Sequence, residues 1–195
     1  LLVGYNHKFG KNREGDFHTI QKCAERFSFQ AEQVDPLELD GHKVSSTIIR
    51  QALWSGDIKN ANRFLGYPFF IQGTIVGGKR LGSKIGFPTA NITPFERIKI
   101  LPSDGVYAVR LQLMGKAYSG MLNIGVRPTL NTGEVVKTIE VHLFDFSENI
   151  YGQEVALIFI DRIRDEYKFS GVDELVGQLR KDEMKARDIL EKSSS

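Results

Sequence analysis

Gly77-Gly78-Lys79-Arg80-Leu81-Gly82-Ser83-Lys84-Ile85-Gly86-Phe87-Pro88-Thr89-Ala90-Asn91 follows a strand-like run from Phe69 to Val76 and gives way to the apolar Ile92. A glycine-rich loop set between two extended segments is framed by β-structure. It is not a Walker loop, because no Gly-Lys-Ser/Thr opens a helix here. Glycines let backbone amides approach phosphate oxygens and the lysines supply countercharge, so Gly77, Lys79, Gly82, Lys84 and Gly86 are candidate contacts to a nucleotide phosphate. Thr89 and Asn91 add two neutral oxygens. In extended backbone their side chains leave on one face and can meet one cation. The plain alternatives are a long hairpin turn and, for Thr89 and Asn91, a hydroxyl or Asx turn after Pro88.

From Phe69 to about Phe159 the chain continues in short β-like runs divided by glycine, proline or the Asn131-Thr132-Gly133 turn. That pattern predicts an antiparallel barrel. Ahead of it, the apolar spacing of Phe17, Ile20, Cys23, Ala24 and Phe27 predicts a helix over 15–27, followed by a strand to about Pro36. Two short helices, Ser46–Trp54 and Asp57–Leu65, are expected on either side of Ser55-Gly56, the second with Asp57 as its N-cap. Gly66-Tyr67-Pro68 stops them and places the domain boundary near Gly66. A last helix is expected over Val172–Leu190, with Ser170 to cap it. The class is α+β, in two domains of residues 1–66 and 67–195.

Composition narrows the function. Hydrophobic residues at 41% with 26% charged are those of an ordinary globular chain, and the net charge of +2 selects no partner. Lysine and arginine are scattered without interleaved aromatics, so nucleic-acid binding is not expected. Cys23 is the only cysteine, which excludes an internal disulfide and a cysteine metal site and fits a reducing cytoplasm. No apolar run approaches the roughly 18 residues that span a bilayer, so no membrane role is expected. The leading Leu1-Leu2-Val3 reads as the end of a strand whose neighbours belong to a longer protein. Oligomeric state is left open.

In Thr138-Ile139-Glu140-Val141-His142-Leu143 the apolar residues occupy one strand face and Glu140 with His142 the other. On its own this is an ordinary solvated face. Several segments, taken in order, resemble the riboflavin kinases: Gly86-Phe87-Pro88-Thr89-Ala90-Asn91, Asp104-Gly105-Val106-Tyr107-Ala108, Asn123-Ile124-Gly125-Val126-Arg127-Pro128-Thr129 and Ile139 to Phe146. The resemblance implies a Greek-key-like barrel with a C-terminal helix, ATP and riboflavin as substrates, FMN as product, and Mg²⁺ carried in with ATP and held by Thr89 and Asn91. It implies that Glu140 is the catalytic base. Arg164, Glu166 and Phe169, ahead of the last helix, are implied to cover the flavin ring.

Before position 66 the chain resembles another enzyme. Gly4-Tyr5-Asn6-His7-Lys8-Phe9-Gly10 and Val44-Ser45-Ser46-Thr47-Ile48-Ile49-Arg50 are similar to the α/β tail of the flavin adenylyltransferase domain fused to bacterial riboflavin kinases. Hydroxyls and free amides at a helix start, joined by an arginine one turn on, bind phosphate, so Ser45, Ser46, Thr47 and Arg50 are implied phosphate contacts. Plain helix capping is the alternative. Asn6 replaces an expected aspartate, and no HxGH-type segment occurs in these residues, so the adenylyltransferase site is half present. A non-catalytic flavin-binding barrel and a sugar or lipid kinase are the rival readings. The phosphate loop and Glu140 favour catalysis over mere binding.

Overall fold

The computed structural model describes residues 1–77, 82, 85–96, 100–128 and 135–193, and the side chains of these except at 127, 128, 135 and 136. The chain forms two compact units, Leu1–Ser45 and Ser46–Ser195.

In the first unit, β1 (Leu2–Gly4) pairs in parallel with β2 (Glu32–Val34), with α1 (Phe17–Phe27) as the crossover. Asp16 caps α1 by accepting the Thr19 N–H at 3.1 Å. A hairpin follows, β3 (Glu38–Leu39) with β4 (His42–Lys43). Its two turn residues, Asp40 and Gly41, both have positive φ, the geometry that matches strand twist in a two-residue connection. Of the leading triplet only Val3 is buried.

The second unit is built on a closed six-stranded antiparallel barrel in the order β10-β5-β6-β9-β8-β7, with β5 Phe70–Val76, β6 Ala90–Pro94, β7 Gly105–Leu113, β8 Lys116–Pro128, β9 Val135–Leu143 and β10 Glu154–Arg164. The expected Asn131-Thr132-Gly133 turn lies outside the described residues. Alternation fills the interior: Ile71, Ile75, Ile92, Leu111, Leu122, Val141 and Leu157 point inward. Strand β7 is buried on both faces, with Tyr107, Val109 and Leu111 in the barrel and Val106 and Ala108 beneath the last helix, α4 (Val172–Lys192).

Helix α4 departs from the expected cap. Gly171 occupies the N-cap position without a side-chain bond, and Ser170 instead donates its N–H and Oγ–H to Glu174 at 2.8 and 2.6 Å. Glutamate reaching back is one half of a capping box, and it satisfies a donor ahead of the helix. At the other end Arg110 donates to the Leu190 carbonyl at 2.9 Å, which occupies one of the orphan acceptors of the last turn.

Helices α2 (Ser46–Ser55) and α3 (Ile58–Leu65) belong with the barrel. Leu53, Ile58 and Ala61 join its inner core, and Asp57 caps α3 through the Asn60 N–H as expected. Asn62 accepts the Phe69 N–H at 2.7 Å and donates to the Phe159 carbonyl at 2.9 Å, so it fastens α3 to the start of β5 and the middle of β10. The compact unit thus begins at Ser46, ahead of the Gly66 punctuation. Removing residues 1–45 should leave the barrel's stability near that of the second unit in the full chain. Removing 1–66 should cost about 3 kcal/mol or more, because buried Leu53 and Ile58 and the Asn62 bonds go with it. Urea unfolding of the two truncated chains checks this. Equal midpoints would contradict it.

Candidate active site

Cross-strand register assembles the site. Asn91 of β6 pairs with Glu140 of β9, Glu140 with Asn123 of β8, Asn123 with Val106 of β7, and Val106 with Arg164 of β10. Their in-sequence neighbours Ile92, Val141, Leu122 and Tyr107 are core residues, so this row faces outward. Glu140 lies between Asn91 and Asn123, half-buried. The Thr89 hydroxyl is 3.5 Å from Glu140 Oε2, bringing a third oxygen to the Asn91–Glu140 pair. Thr89 itself precedes β6, yet the expected shared face with Asn91 holds.

Two clefts meet at Thr89. The larger, about 450 Å³, has Glu140, His142, Asn123 and Met121 as its barrel floor, Gly82, Ile85 and Phe87 on one side, and Arg164, Glu166, Tyr167, Phe169 and the first turns of α4 opposite. A second of about 340 Å³ runs from Pro88, Thr89 and Ala90 to the segment Phe146–Tyr151. The first is mostly apolar with a polar end at Glu140, which suits a flat, largely apolar ligand carrying a hydroxylated tail.

The turn between the clefts is pinned. His142 Nδ1 lies 2.7 Å from the Pro88 carbonyl, and since a carbonyl only accepts, Nδ1 carries the proton. Phe87 sits edge-on to the same imidazole, with centroids 5.3 Å apart. The Gly82 carbonyl accepts the N–H groups of Ile85 and Phe87, at 3.1 and 2.9 Å. A Cβ at Gly82 would lie 2.1 Å from the Phe87 carbonyl oxygen, so no other residue fits. Gly86 takes positive φ and Gly77 is exposed at the end of β5, while Lys79 and Lys84 lie outside the described residues.

The far wall, residues 165–171, has no regular structure and hangs on side chains. Arg164 donates Nε to both oxygens of Asp182 at 3.1 and 2.9 Å, Nη2 to the same carboxylate at 2.8 Å, and Nη1 to the Asp165 carbonyl at 2.8 Å. Its guanidinium carbon lies over the rings of Tyr167 and Phe169, 4.7 and 5.6 Å from their centroids. Glu166 accepts the Asn123 amide at 3.1 Å. It lies over Gly125, where an added Cβ would be 2.1 Å from Oε1. Sequence reasoning assigns no site role to Asn123, Tyr167 or Asp182. The parity of Asn123 with its neighbours could have placed it beside Glu140, but Asp182, inside the run Lys181-Asp182-Glu183, gives no sign of burial.

Ser46, Thr47 and Arg50 occupy the first turns of α2, exposed, with Ser45 directly before them. Arg50 is one turn from Ser46 and so on its side of the helix.

Among the described residues no three histidine, cysteine or acidic side chains cluster as a metal site. Thr89, Asn91 and Glu140 are oxygen donors of the kind a hard cation takes, too few to hold one alone.

The riboflavin kinase family model matches residues 65–190. The chain belongs to the riboflavin kinase family. A second model, FAD synthetase, matches residues 1–48, so most of α2 and α3 lies in neither match. Among relatives, the bifunctional riboflavin kinase/FMN adenylyltransferase of Haemophilus influenzae is 44% identical over 183 residues, covering 93% of this chain and 58% of its own. The protein of that name in Bacillus subtilis is 38% identical, covering 95% and 58%. This chain therefore spans about 58% of the length of these curated relatives. A crystal structure from Streptococcus pneumoniae, titled a macrolide-efflux protein, superposes with a TM-score of 0.83 at 36% identity, over 95% of this chain and 60% of that one. That title differs from the family match. In this riboflavin kinase family member the barrel's apolar side chains fill its interior, and no described helix is long and apolar enough to cross a membrane.

Because Glu166 is a flexible side chain, Gly125→Ala should push it off β8 without unfolding the barrel. Stability should change by no more than about 1 kcal/mol, while amide exchange over 165–170 speeds up. Unchanged exchange there would mean that the Asn123–Glu166 contact does not hold the wall.

Proposed function

We propose that this chain transfers the γ-phosphoryl group of ATP to the 5′-hydroxyl of riboflavin, giving FMN and ADP. The observation that carries the reading is Glu140, facing outward between Asn91 and Asn123 and beside Thr89, where the two clefts meet. Riboflavin takes the larger cleft, with its ring against Tyr167 and Phe169 and its ribityl chain toward Glu140. ATP takes the second cleft, and its phosphates run past Thr89 under the loop that includes Gly77, Gly82 and Gly86, with Lys79 and Lys84 contributing charge.

Glu140 accepts a hydrogen bond from the ribityl 5′-hydroxyl and aims its oxygen at the γ-phosphorus. As the new O–P bond forms, the bond from phosphorus to the β,γ-bridging oxygen breaks. The hydroxyl proton passes to the Glu140 carboxylate, and ADP leaves with the bridging electrons. The transition state is loose, so holding the hydroxyl in line matters more than removing its proton early. Thr89 and Asn91, with Glu140 next to them, would hold Mg²⁺, which supplies charge neutralisation on the phosphates. With so few protein oxygens, these residues would take the ion together with ATP and not by themselves. Wall residues 165–171 keep water from the reacting oxygen.

Residues 67–195 serve as the kinase domain. Residues 1–66 are the closing part of an FMN adenylyltransferase, with Ser45, Ser46, Thr47 and Arg50 as phosphate contacts, so that in the whole protein FMN passes on to FAD. The lone exposed Cys23 fits a cytoplasmic setting. A flavin-binding module without catalysis would have no use for a carboxylate and a hydroxyl at the junction of the clefts.

Glu140→Gln keeps the volume and removes the base. It should lower kcat about 10²–10⁴-fold at nearly unchanged Tm, since the side chain faces the cleft. Activity within a few-fold of the parent would remove Glu140 from this role. Thr89→Ala and Asn91→Ala should each raise the Mg²⁺ concentration for half-maximal rate about tenfold or more, by deleting one of few ligands, while riboflavin binding without nucleotide stays as it was. Parental Mg²⁺ dependence in both variants would make these residues turn formers only.

A further inference from the structure

Among the described residues Asp182 is the one charged residue that is fully buried, 1% exposed, on the α4 face that packs against the barrel. Burying a carboxylate is expensive, and an apolar residue of similar size would pack a helix onto a sheet at least as well. The pair it makes is thus a poor device for stability alone. Its geometry points elsewhere. Asp182 engages Nε and Nη2 of Arg164 as a fork, Gln178 donates to the same carboxylate at 2.7 Å, and Arg164 Nη1 is fixed on the Asp165 carbonyl. A guanidinium gripped along its edge is held in one orientation, and its carbon lies over the rings of Tyr167 and Phe169, whose centroids are 4.5 Å apart. Cation–π contact holds the rings only while the plane stays put.

We infer that Asp182 is a positioning residue for the flavin: acting through Arg164, it holds Tyr167 and Phe169 as a preformed aromatic wall of the larger cleft. This rests on the kinase reading above. The wall segment has no strand or helix bonds of its own, so its order comes from a few side-chain anchors, of which this is the buried one. Preforming the wall spares riboflavin the entropy of ordering it, so the benefit appears as flavin affinity. ATP, in the other cleft, gains nothing from it.

Asp182→Asn keeps the size, removes the charge and leaves one acceptor for the fork. It should raise the KM for riboflavin about tenfold, with the KM for ATP and kcat within about threefold, because ground-state flavin binding is what is lost. Riboflavin binding, read by quenching of its fluorescence, should weaken by the same factor. Arg164→Lys keeps the charge but neither fork nor flat face, and should behave alike. In a Tyr167→Ala/Phe169→Ala background, Asp182→Asn should then add less than about twofold, since the rings it serves are gone. A structural salt bridge would instead lower Tm in every background and leave the riboflavin KM alone. That result, or a full additional loss in the ring-less background, overturns the inference while the kinase reading stands. A parent chain that neither binds riboflavin nor makes FMN overturns the kinase reading and the inference with it.

Discussion

The register of β9 between β6 and β8 is the constraint on which the site depends. A strand in a closed barrel has two faces with a period of two, so a slip of one residue would carry Glu140 into the apolar interior and expel Val141. Ile139, Val141 and Leu143, all buried, make that slip prohibitive. The same packing that closes the barrel therefore fixes the outward direction of Glu140. It also fixes its neighbours, because Asn91 and Asn123 are its ladder partners on either side. The Glu140 carboxylate is placed here by backbone hydrogen bonds and a hydrophobic core.

The two walls of the larger cleft are held in different ways. The barrel floor is rigid by construction. The turn through Phe87, Pro88 and Thr89 is tied to it by one hydrogen bond from His142 and by the close return at Gly82, so Thr89 approaches Glu140 without belonging to a strand. The opposite wall has no ladder. It depends on Glu166 reaching Asn123, on Ser170 with Glu174, and on the buried Asp182–Arg164 pair. The wall built of side-chain anchors thus has fewer backbone bonds to hold it than the floor has.

Much of this was legible in the sequence, for reasons that can be named. Alternation in Thr138–Leu143 gave the correct face for Glu140, and the glycine and proline punctuation after Phe69 gave the antiparallel barrel. The GFPTAN stretch points to Thr89, which lines both clefts, and to Asn91, the ladder partner of Glu140. Legibility failed where a role depends on tertiary burial. Leu53, Ile58 and Ala61 look like the apolar stripe of any short helix, and nothing local says that they join the barrel's core beyond Gly66. Asp182 sits in a charged run of an amphipathic helix and reads as solvated. Ser170 looked like a cap, but Gly171 took the position because Glu174 could reach back to Ser170. Arg164, expected to cover the flavin ring, does line the larger cleft, and its bonds to Asp182 and Asp165 are a role that no local sequence pattern announces.

The most direct test of the account is to supply the 195-residue chain with riboflavin, ATP and Mg²⁺ and to separate the flavins and nucleotides formed. Glu140 at the meeting of two clefts predicts FMN and ADP in equal amounts, with no ADP released when riboflavin is left out. Riboflavin bound but not phosphorylated, or ADP formed regardless of riboflavin, would contradict it.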